Sequence, residues 1–207
     1  MATVAVLDYG SSNLGSVAKA LQAVATPDID VRVTTTAAEL RRAERIVFPG
    51  QGAIGQCMQR LQALDLIDAV SECLRNKPFL GICLGLQSLF STSAENGGTQ
   101  CLNFVPGTVP RFAADSGLKV PHMGWNQVRQ RLPHPLWGDI QDGERFYFVH
   151  SYYVAPTDPA HIAGSTDYGI EFTSAVAREN LFAVQFHPEK SQHPGLALLR
   201  NFLRWQP

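Results

Sequence analysis

The segment Pro78-Phe79-Leu80-Gly81-Ile82-Cys83-Leu84-Gly85-Leu86-Gln87 places a cysteine between two glycines at the end of an apolar run. Residues 79–82 are short, apolar and preceded by proline, which indicates a buried strand, and apolar residues at helical spacing follow. Cys83 is therefore predicted at a sharp turn from strand to helix. Glycine suits both flanking positions, because a Cβ there would press on the neighbouring strand or helix.

The surroundings of Cys83 indicate a reactive thiol. The Gly-x-Cys-x-Gly pattern is the thiol counterpart of the serine elbow of hydrolases. A helix that begins beside the sulfur would favour the thiolate, and its first free amides, starting with that of Leu84, would donate to an oxyanion. The alternative is a buried cysteine that packs as a small hydrophobic residue. The flanking glycines and the strand-helix context favour the nucleophile.

A second motif, His187-Pro188-Glu189, lies far downstream. Residues 181–186 alternate and are rich in β-forming residues, so His187 and Glu189 are predicted to continue or leave a strand with their side chains on the same side. Glu189 would accept a hydrogen bond from one imidazole nitrogen and orient the other toward Cys83. Taken alone, a His-Pro-Glu segment also fits a turn that ends a strand.

The order of strand and helix patterns predicts the fold class. Strand patterns at residues 3–7, 31–34, 45–48 and 79–82 alternate with helical patterns at 14–24 and 57–74. This alternation predicts an α/β fold with a mostly parallel sheet and helices on both faces. Strand patterns at 108–112, 127–130, 146–149, 169–177 and 181–186 predict an antiparallel extension, and a final helix is predicted at about 194–205. We expect one domain over residues 1–207.

Composition excludes several classes of protein. The chain has 207 residues and 45% hydrophobic content, which is enough for one sizeable core. Its formal charge of −1 gives no sign of the excess of basic residues that binds nucleic acid. The N-terminus lacks the pattern of a signal peptide, and no segment approaches the roughly 20 apolar residues of a membrane span, so a cytoplasmic protein is expected. Charged residues make up only 17% of the chain, which suggests that a partner covers part of the surface. Cys57, Cys73 and Cys101 show no Cys-x-x-Cys spacing and are expected to pack.

Three ordered motifs give the chain a family resemblance that runs from end to end. They are Pro49-Gly50-Gln51-Gly52, the elbow around Cys83, and Phe186-His187-Pro188-Glu189. In this respect the sequence resembles the class I, triad-type glutamine amidotransferases, which implies their three-layer fold. The resemblance implies Cys83 as nucleophile, His187 as base and Glu189 as its partner.

The resemblance also implies the binding site for L-glutamine. The amide of Gln51, between Gly50 and Gly52, would join that of Leu84 in the oxyanion hole, after a peptide flip. Relatives commonly carry an apolar residue where Gln51 stands, and a plain turn before a helix would look the same. The remaining implied contacts with glutamine are Gln87, Glu95, His150, Ser151 and Tyr152. Each of them also fits an ordinary role, as a solvated polar residue or the end of a strand.

Four further strings make the chain similar to one branch of that family, the glutaminase subunits of imidazole glycerol phosphate synthases in histidine biosynthesis. They are Asp8-Tyr9-Gly10, His122-Met123-Gly124-Trp125-Asn126, the stretch 146–152, and His187 to Gln192. The branch implies delivery of ammonia to a (βα)₈-barrel cyclase, with no metal and no cofactor. It implies a partner-facing set made of Asn13, Met123, Trp125, Tyr147 and Lys190. Ser12 stands where many relatives have glycine.

Two alternatives to this function are a glutaminase subunit of another ammonia-using synthase and a catalytically idle α/β binding module. The strings around Trp125 and after Lys190 argue against the first. The intact residues Cys83, His187 and Glu189 argue against the second.

Overall fold

A computed structural model describes residues 1–10, 14–113 and 117–207 of the chain. Ser12 and Asn13, which were singled out above, lie outside these residues. The helices are α1 (Leu14–Val24), α2 (Ala37–Arg42), α3 (Ile54–Ala63), α4 (Ile67–Asn76), α5 (Leu84–Gln87) and α6 (Gln192–Arg204). Short 3₁₀ turns occupy Glu95–Gly97, Pro135–Trp137, Pro159–His161 and Pro188–Lys190.

The strands follow the same order along the chain. They are β1 (Ala2–Leu7), β2 (Ile29–Thr34), β3 (Arg45–Gly50), β4 (Phe79–Cys83), β5 (Thr92–Ser93), β6 (Thr99–Gln100), β7 (Gly107–Val109), β8 (His122–Gln127), β9 (Arg129–Gln130), β10 (Arg145–His150), β11 (Ala155–Pro156), β12 (Ile162–Asp167), β13 (Glu171–Arg178) and β14 (Leu181–Val184).

A mixed sheet forms the centre of the molecule. Within the described ranges it has eight strands, in the order β2-β1-β3-β4-β14-β13-β12-β9. The pairs from β2 through β1, β3 and β4 to β14 are parallel, and the pairs from β14 through β13 and β12 to β9 are antiparallel. The predicted parallel sheet with an antiparallel extension is therefore confirmed.

Helices cover both faces of this sheet, because its central strands are apolar on both sides. In β1, Val4 and Val6 pack with residues of α1 and α6, while Ala5 and Leu7 pack with residues of α2, α3 and α4. Successive side chains of a strand point to opposite faces, so one strand contributes to both cores. The predicted three-layer arrangement follows from this alternation.

Two smaller sheets lie beside the central one. Strands β8 and β10 form an antiparallel pair, and the other sheet has the order β11-β7-β5-β6. The strand pattern predicted at 146–149 falls in β10. Strand β8 was not predicted except for its last residue, Gln127, because Gly124 and Asn126 are residue types that strands rarely contain.

Several predicted boundaries were wrong. The single helix predicted at 57–74 is two helices, since Asp65 has φ 52°, a left-handed conformation that interrupts the helical path between α3 and α4. Helix α2 was missed, and its start is capped by the Thr36 hydroxyl, which accepts from the Glu39 amide at 3.4 Å. The strand predicted from 169 begins at Glu171, because Gly169 has φ 71° and forms a turn.

No helix in the described part of the chain is long and apolar enough to cross a membrane.

Candidate active site

The turn at Cys83 is strained and tightly packed. Cys83 ends β4 and precedes α5 with φ 54° and ψ −107°, a conformation that costs a non-glycine residue about 1–3 kcal/mol. A Cβ on Gly81 would lie 2.9 Å from the Cβ of Ala183, and one on Gly85 would lie 1.8 Å from the carbonyl oxygen of Phe48. The prediction that both flanking positions exclude a Cβ is confirmed. The sharp turn leaves Cys83 at the edge of a cavity.

His187 and Glu189 lie just beyond the end of β14, the strand that pairs with β4, and Glu189 is in the 3₁₀ turn Pro188–Lys190. His187 Nδ1 and Glu189 Oε1 are 2.9 Å apart, and both side chains are almost fully buried. Burial alone would lower the pKa of His187, but the charge and hydrogen bonding of Cys83, together with Glu189, raise this pKa to about 10. The protonated imidazolium form of His187 is thereby favoured in the folded protein.

The second imidazole nitrogen of His187 remains available for chemistry. Its Nε2 atom is buried, and Cys83 is the neighbour that acts on the imidazole besides Glu189. With Nδ1 directed at the Glu189 carboxylate, the proton on Nε2 is the one that faces the cavity side. This arrangement suits a histidine that exchanges a proton with a reacting group.

Ser191 fixes the His187 segment to β10. Its hydroxyl donates to the His187 carbonyl at 2.6 Å and accepts from the Tyr147 amide at 3.0 Å. The His187 amide donates in turn to the Tyr147 carbonyl at 2.9 Å. A Cβ on Gly195 would lie 1.9 Å from the Pro188 carbonyl oxygen, so α6 packs directly against this segment. These contacts hold His187 in one position relative to the sheet.

A cavity of about 300 Å³ brings most of the predicted site residues together. Cys83 and His187 both line it. The other lining residues are Gln51, Gly52, Leu84, Gln87, Glu95, Pro121, Val149, His150, Ser151 and Tyr152. Of the residues predicted to contact glutamine or its oxyanion, Gly50 does not line this cavity. Gly50 lies directly behind it, paired in register with Cys83.

The segment predicted as the oxyanion loop begins with the last two residues of β3 and continues through Gln51 and Gly52. Gly50 has no room for a side chain, since a Cβ would lie 2.3 Å from the hydroxyl oxygen of Tyr9 and 3.0 Å from the Cβ of Leu84. Gly52 has φ 96°, which glycine adopts without strain. The loop therefore passes close to the start of α5, where the Leu84 amide lies. Gln51 is half-buried and faces the same cavity.

Gln87 takes part in a buried hydrogen-bond network. Its Nε2 donates to the Tyr152 carbonyl at 3.1 Å and to Gln185 Oε1 at 3.0 Å. Both amide protons are thus used within the protein, which leaves Oε1 as the atom for a ligand in the cavity. The contact with glutamine that was predicted for Gln87 stays a prediction, and it would use Oε1 as the acceptor.

Gln185 was missed by the sequence analysis. It is fully buried, and its Nε2 donates to Cys83 Sγ at 3.6 Å. The sequence contained a signal for it. Gln185 is a polar residue two positions before His187 in an otherwise apolar strand, and residues two apart share a side.

Glu95 lies at the rim of the cavity, in the 3₁₀ turn Glu95–Gly97. Its Oε2 accepts from the amide of Ile54 at 2.8 Å, which ties this turn to the first residue of α3. A carboxylate at the rim of the cavity suits an ammonium group. The role of Glu95 with the glutamine ammonium stays a prediction.

A pair of buried histidines adjoins the cavity. His150 Nδ1 is 2.7 Å from the Tyr152 carbonyl, His150 Nε2 is 2.9 Å from His122 Nδ1, and His122 Nε2 is 3.2 Å from Asn126 Nδ2. Burial lowers the pKa of His150 to about 3 and that of His122 to about 4, so both are neutral at pH 7. A carbonyl only accepts, so His150 carries its proton on Nδ1 and His122 donates to His150.

Four residues of the predicted partner-facing set lie together. Trp125 pairs with Tyr147 across β8 and β10, and their rings meet edge to face at 6.0 Å. Lys190 Nζ lies 6.0 Å from the centre of the Tyr147 ring. Met123 and Trp125 are exposed by 57% and 42%, which is high for large apolar side chains. These residues form an apolar and cationic patch beside the segment that carries His187.

The described residues contain no group of three or more His, Cys, Asp or Glu side chains placed to hold a metal ion. Cys57 and Cys73 are buried and Cys101 is half-buried, and all are free thiols. Burial raises the pKa of Cys57 to about 12 and that of Cys101 to about 11. These thiols stay protonated at pH 7, in agreement with a packing role.

Comparisons with known proteins agree with this geometry. Over residues 5–205 the sequence matches the family described as Glutamine amidotransferase class-I. The chain is 56% identical over 214 residues to the imidazole glycerol phosphate synthase subunit HisH of Aromatoleum aromaticum, with 100% of both chains covered. It is 54% identical over 211 residues to the protein of the same name from Thiobacillus denitrificans, with 99% of this chain and 92% of that chain covered.

Solved structures share the fold at low sequence identity. PurLQS from Thermotoga maritima superposes with a TM-score of 0.74 at 17% identity and 98% coverage of each chain. A crystal structure described as a glutamine amidotransferase gives a TM-score of 0.74 at 16% identity and 97% coverage of each chain. These likenesses support the three-layer α/β architecture. The match over nearly the whole sequence, together with relatives of such high identity, shows that the chain belongs to the class-I glutamine amidotransferase family.

Proposed function

We propose that this protein hydrolyses L-glutamine to glutamate and ammonia as the glutaminase subunit of an imidazole glycerol phosphate synthase. The observation that carries the proposal is that Cys83 and His187 line one cavity, while Glu189 lies 2.9 Å from the Nδ1 atom of His187. The names of the relatives at 54–56% identity support this synthase over other ammonia-using enzymes. The strained conformation of Cys83 and the raised pKa of His187 beside it favour a catalytic site over a catalytically idle binding module.

The first half of the reaction forms a thioester. The Cys83 thiolate attacks the carboxamide carbon of glutamine, and the carbonyl oxygen becomes an oxyanion that the amides of Gln51 and Leu84 stabilise. His187 then gives its Nε2 proton to the amide nitrogen. The C–N bond breaks, ammonia leaves, and a glutamyl thioester remains on Cys83.

The second half regenerates the site. Neutral His187 takes a proton from a water molecule, whose oxygen attacks the thioester carbonyl. The C–S bond breaks, glutamate leaves, and Cys83 returns to the thiolate beside imidazolium His187. Glu189 orients His187 and stabilises its charge throughout. In the same site, Gln87 Oε1 and the Glu95 carboxylate bind the ammonium of the substrate, and the segment His150 to Tyr152 holds its amino-acid end.

The partner of this subunit is proposed to be a (βα)₈-barrel cyclase that uses the ammonia to form imidazole glycerol phosphate and aminoimidazole carboxamide ribotide. Ammonia is reactive only as the neutral molecule, so its path should exclude bulk water. The exposed patch of Met123, Trp125, Tyr147 and Lys190 supports a docking face next to the site. The proposed assembly is a cytoplasmic heterodimer that requires no cofactor, membrane or nucleic acid.

Two measurements test this function. The chain is mixed with a cyclase barrel and its nucleotide substrate, and glutamate release is followed. Turnover of glutamine should rise on mixing, and Cys83→Ala should abolish hydrolysis while the two chains still co-elute on gel filtration. Hydrolysis that persists in Cys83→Ala would exclude Cys83 as the nucleophile. A rate of glutamine hydrolysis that is the same with and without the cyclase would favour another synthase.

A further inference from the structure

Gln185 lies next to Cys83 because two parallel strands end at the same level. The register of β14 and β4 pairs Val184 with Ile82, so the next residue on each strand is Gln185 and Cys83 respectively. Gln185 has no exposed surface, and its main-chain amide donates to the Ser174 carbonyl at 2.9 Å. Its side chain therefore has a fixed origin and reaches only its immediate neighbours.

The orientation of the Gln185 amide follows from the Tyr152 carbonyl, which is linked to it through two hydrogen bonds of Gln87. The Tyr152 carbonyl can only accept, so the end of Gln87 that faces it must be the NH₂ group. The same NH₂ group, at 3.0 Å, meets Gln185, which must therefore present its oxygen to Gln87. The NH₂ group of Gln185 is then the end that faces Cys83 Sγ at 3.6 Å.

We propose that Gln185 is a positioning residue of the reaction: its side-chain N–H holds the Cys83 sulfur in line for attack and favours the thiolate. The inference rests on the proposed role of Cys83 as nucleophile. A hydrogen bond to a charged acceptor is stronger than one to a neutral acceptor, so a donor locked toward sulfur favours the charged form. Because Gln87 and the Tyr152 carbonyl fix the amide, the donor is in place before substrate binds.

Other charged or titratable groups also face Cys83 and set the background for a test. His187, with Glu189 behind it, approaches from the segment after β14. His150 lines the cavity from the end of β10 and is neutral, and Glu95 lines it from its 3₁₀ turn. Gln185 differs from all of these because it donates a hydrogen bond without carrying a charge.

The test measures the alkylation rate of Cys83 by iodoacetamide against pH, in the full chain without glutamine or partner. Mass spectrometry of the peptide that contains Cys83 separates it from Cys57, Cys73 and Cys101. We expect Gln185→Met, which removes the donor without adding charge, to slow alkylation at pH 7 about tenfold and to move the midpoint of the pH profile upward by about one unit. Gln185→Glu keeps an acceptor for Gln87 but places a carboxylate oxygen where the N–H faced sulfur, so its negative charge adds to the loss of the donor and it should move the midpoint further in the same direction.

Ser174→Ala is the matched control for disturbed packing. Ser174 is fully buried on the neighbouring strand β13, and its hydroxyl makes no hydrogen bond with the described residues. It should leave the midpoint unchanged. A midpoint that stays the same in both Gln185 variants, each shown to be folded by circular dichroism, would overturn the proposal. If the cyclase does not stimulate glutamine hydrolysis by the unaltered protein, the proposed function is contradicted, but the alkylation result for Gln185 remains valid.

Discussion

Gly85 and Phe48 are in such close contact that a Cβ on Gly85 would lie 1.8 Å from the Phe48 carbonyl oxygen. This contact packs α5 directly on the backbone of β3. The position of α5 sets the point at which the chain turns at Cys83. It also sets the distance between the Leu84 amide and the loop around Gln51.

Gly85→Ala should therefore damage both stability and activity. The added methyl group meets backbone atoms that cannot rotate away, so α5 has to shift, and overpacking of this kind costs about 3 kcal/mol. We expect a lower free energy of unfolding in urea and at least a tenfold loss of glutaminase rate, which is about 1.4 kcal/mol in activation free energy. Gly15→Ala is the control, because a Cβ there meets nothing within 4 Å. Equal stabilities of the two variants would show that α5 tolerates the shift.

Glu189→Gln should weaken the ion pair at the site. The variant keeps an oxygen within reach of His187 Nδ1 but removes the negative charge, so the pKa of His187 falls from about 10. A smaller fraction of His187 is then protonated, and the hydrogen bond that orients its imidazole is weaker. We expect kcat/KM for glutamine to fall about 100-fold or more, since the comparable change in a serine protease costs about 10⁴-fold. A fall of less than threefold would remove Glu189 from the proposed machinery.

The buried pair of His122 and His150 should make the protein less stable in mild acid. Burial lowers the pKa of both, to about 4 and about 3, whereas in the unfolded chain they titrate near 6.5. The unfolded state therefore binds more protons as pH falls, and stability that is complete above about 6.5 is lost toward the folded pKa values. At pH 5 each histidine accounts for up to about 2 kcal/mol. His187 has the opposite sign: its raised folded pKa gives a stabilisation that is complete below about 6.5 and lost as pH rises toward 10, so it offsets part of the loss between pH 7 and pH 6.5 and adds no pH dependence below that.

His122→Phe tests this effect directly. Phenylalanine keeps the stacking of His122 between Phe148 and Tyr168, at 4.9 and 4.0 Å between ring centres, but cannot take up a proton. Urea unfolding at pH 7 and pH 5 should show a loss of unfolding free energy that is up to about 2 kcal/mol smaller for the variant than for the unaltered protein. The same pH dependence in both proteins would mean that His122 is charged in the folded state.

Trp125→Ala should weaken docking of the proposed cyclase without unfolding the protein. Trp125 is 42% exposed and packs edge to face on Tyr147, so its removal leaves the core intact. Exposed aromatic anchors of interfaces are worth about 2 kcal/mol or more, and we expect Kd to rise about 30-fold in calorimetry. Leu64→Ala is the matched control, with the same 42% exposure at the end of α3. Equal affinity for both variants would place the docking face elsewhere.

Sequence patterns predicted the central sheet well because its strands are buried on both faces. The runs that became β1, β3, β4 and β14 are short, apolar and bounded by turns, and such runs have few alternative structures. The break at Asp65 was not visible, because the apolar spacing of α3 continues into α4 across it. Strand β8 carries mixed polar residues and forms through its pairing with β10, which is a tertiary interaction.

The sequence by itself determined the chemistry of this protein: the glycines around Cys83 and the order of three motifs along the chain are local features. Tertiary structure alone decided which groups surround the sulfur. The sequence shows Gln185 only as a polar residue two positions before His187, and only the parallel pairing of β14 with β4 brings it beside Cys83. Its orientation depends on Gln87 and on the Tyr152 carbonyl, from a separate part of the chain. Hydrogen bonds between residues about 100 positions apart leave no periodic trace in a sequence, whereas burial and turn geometry do.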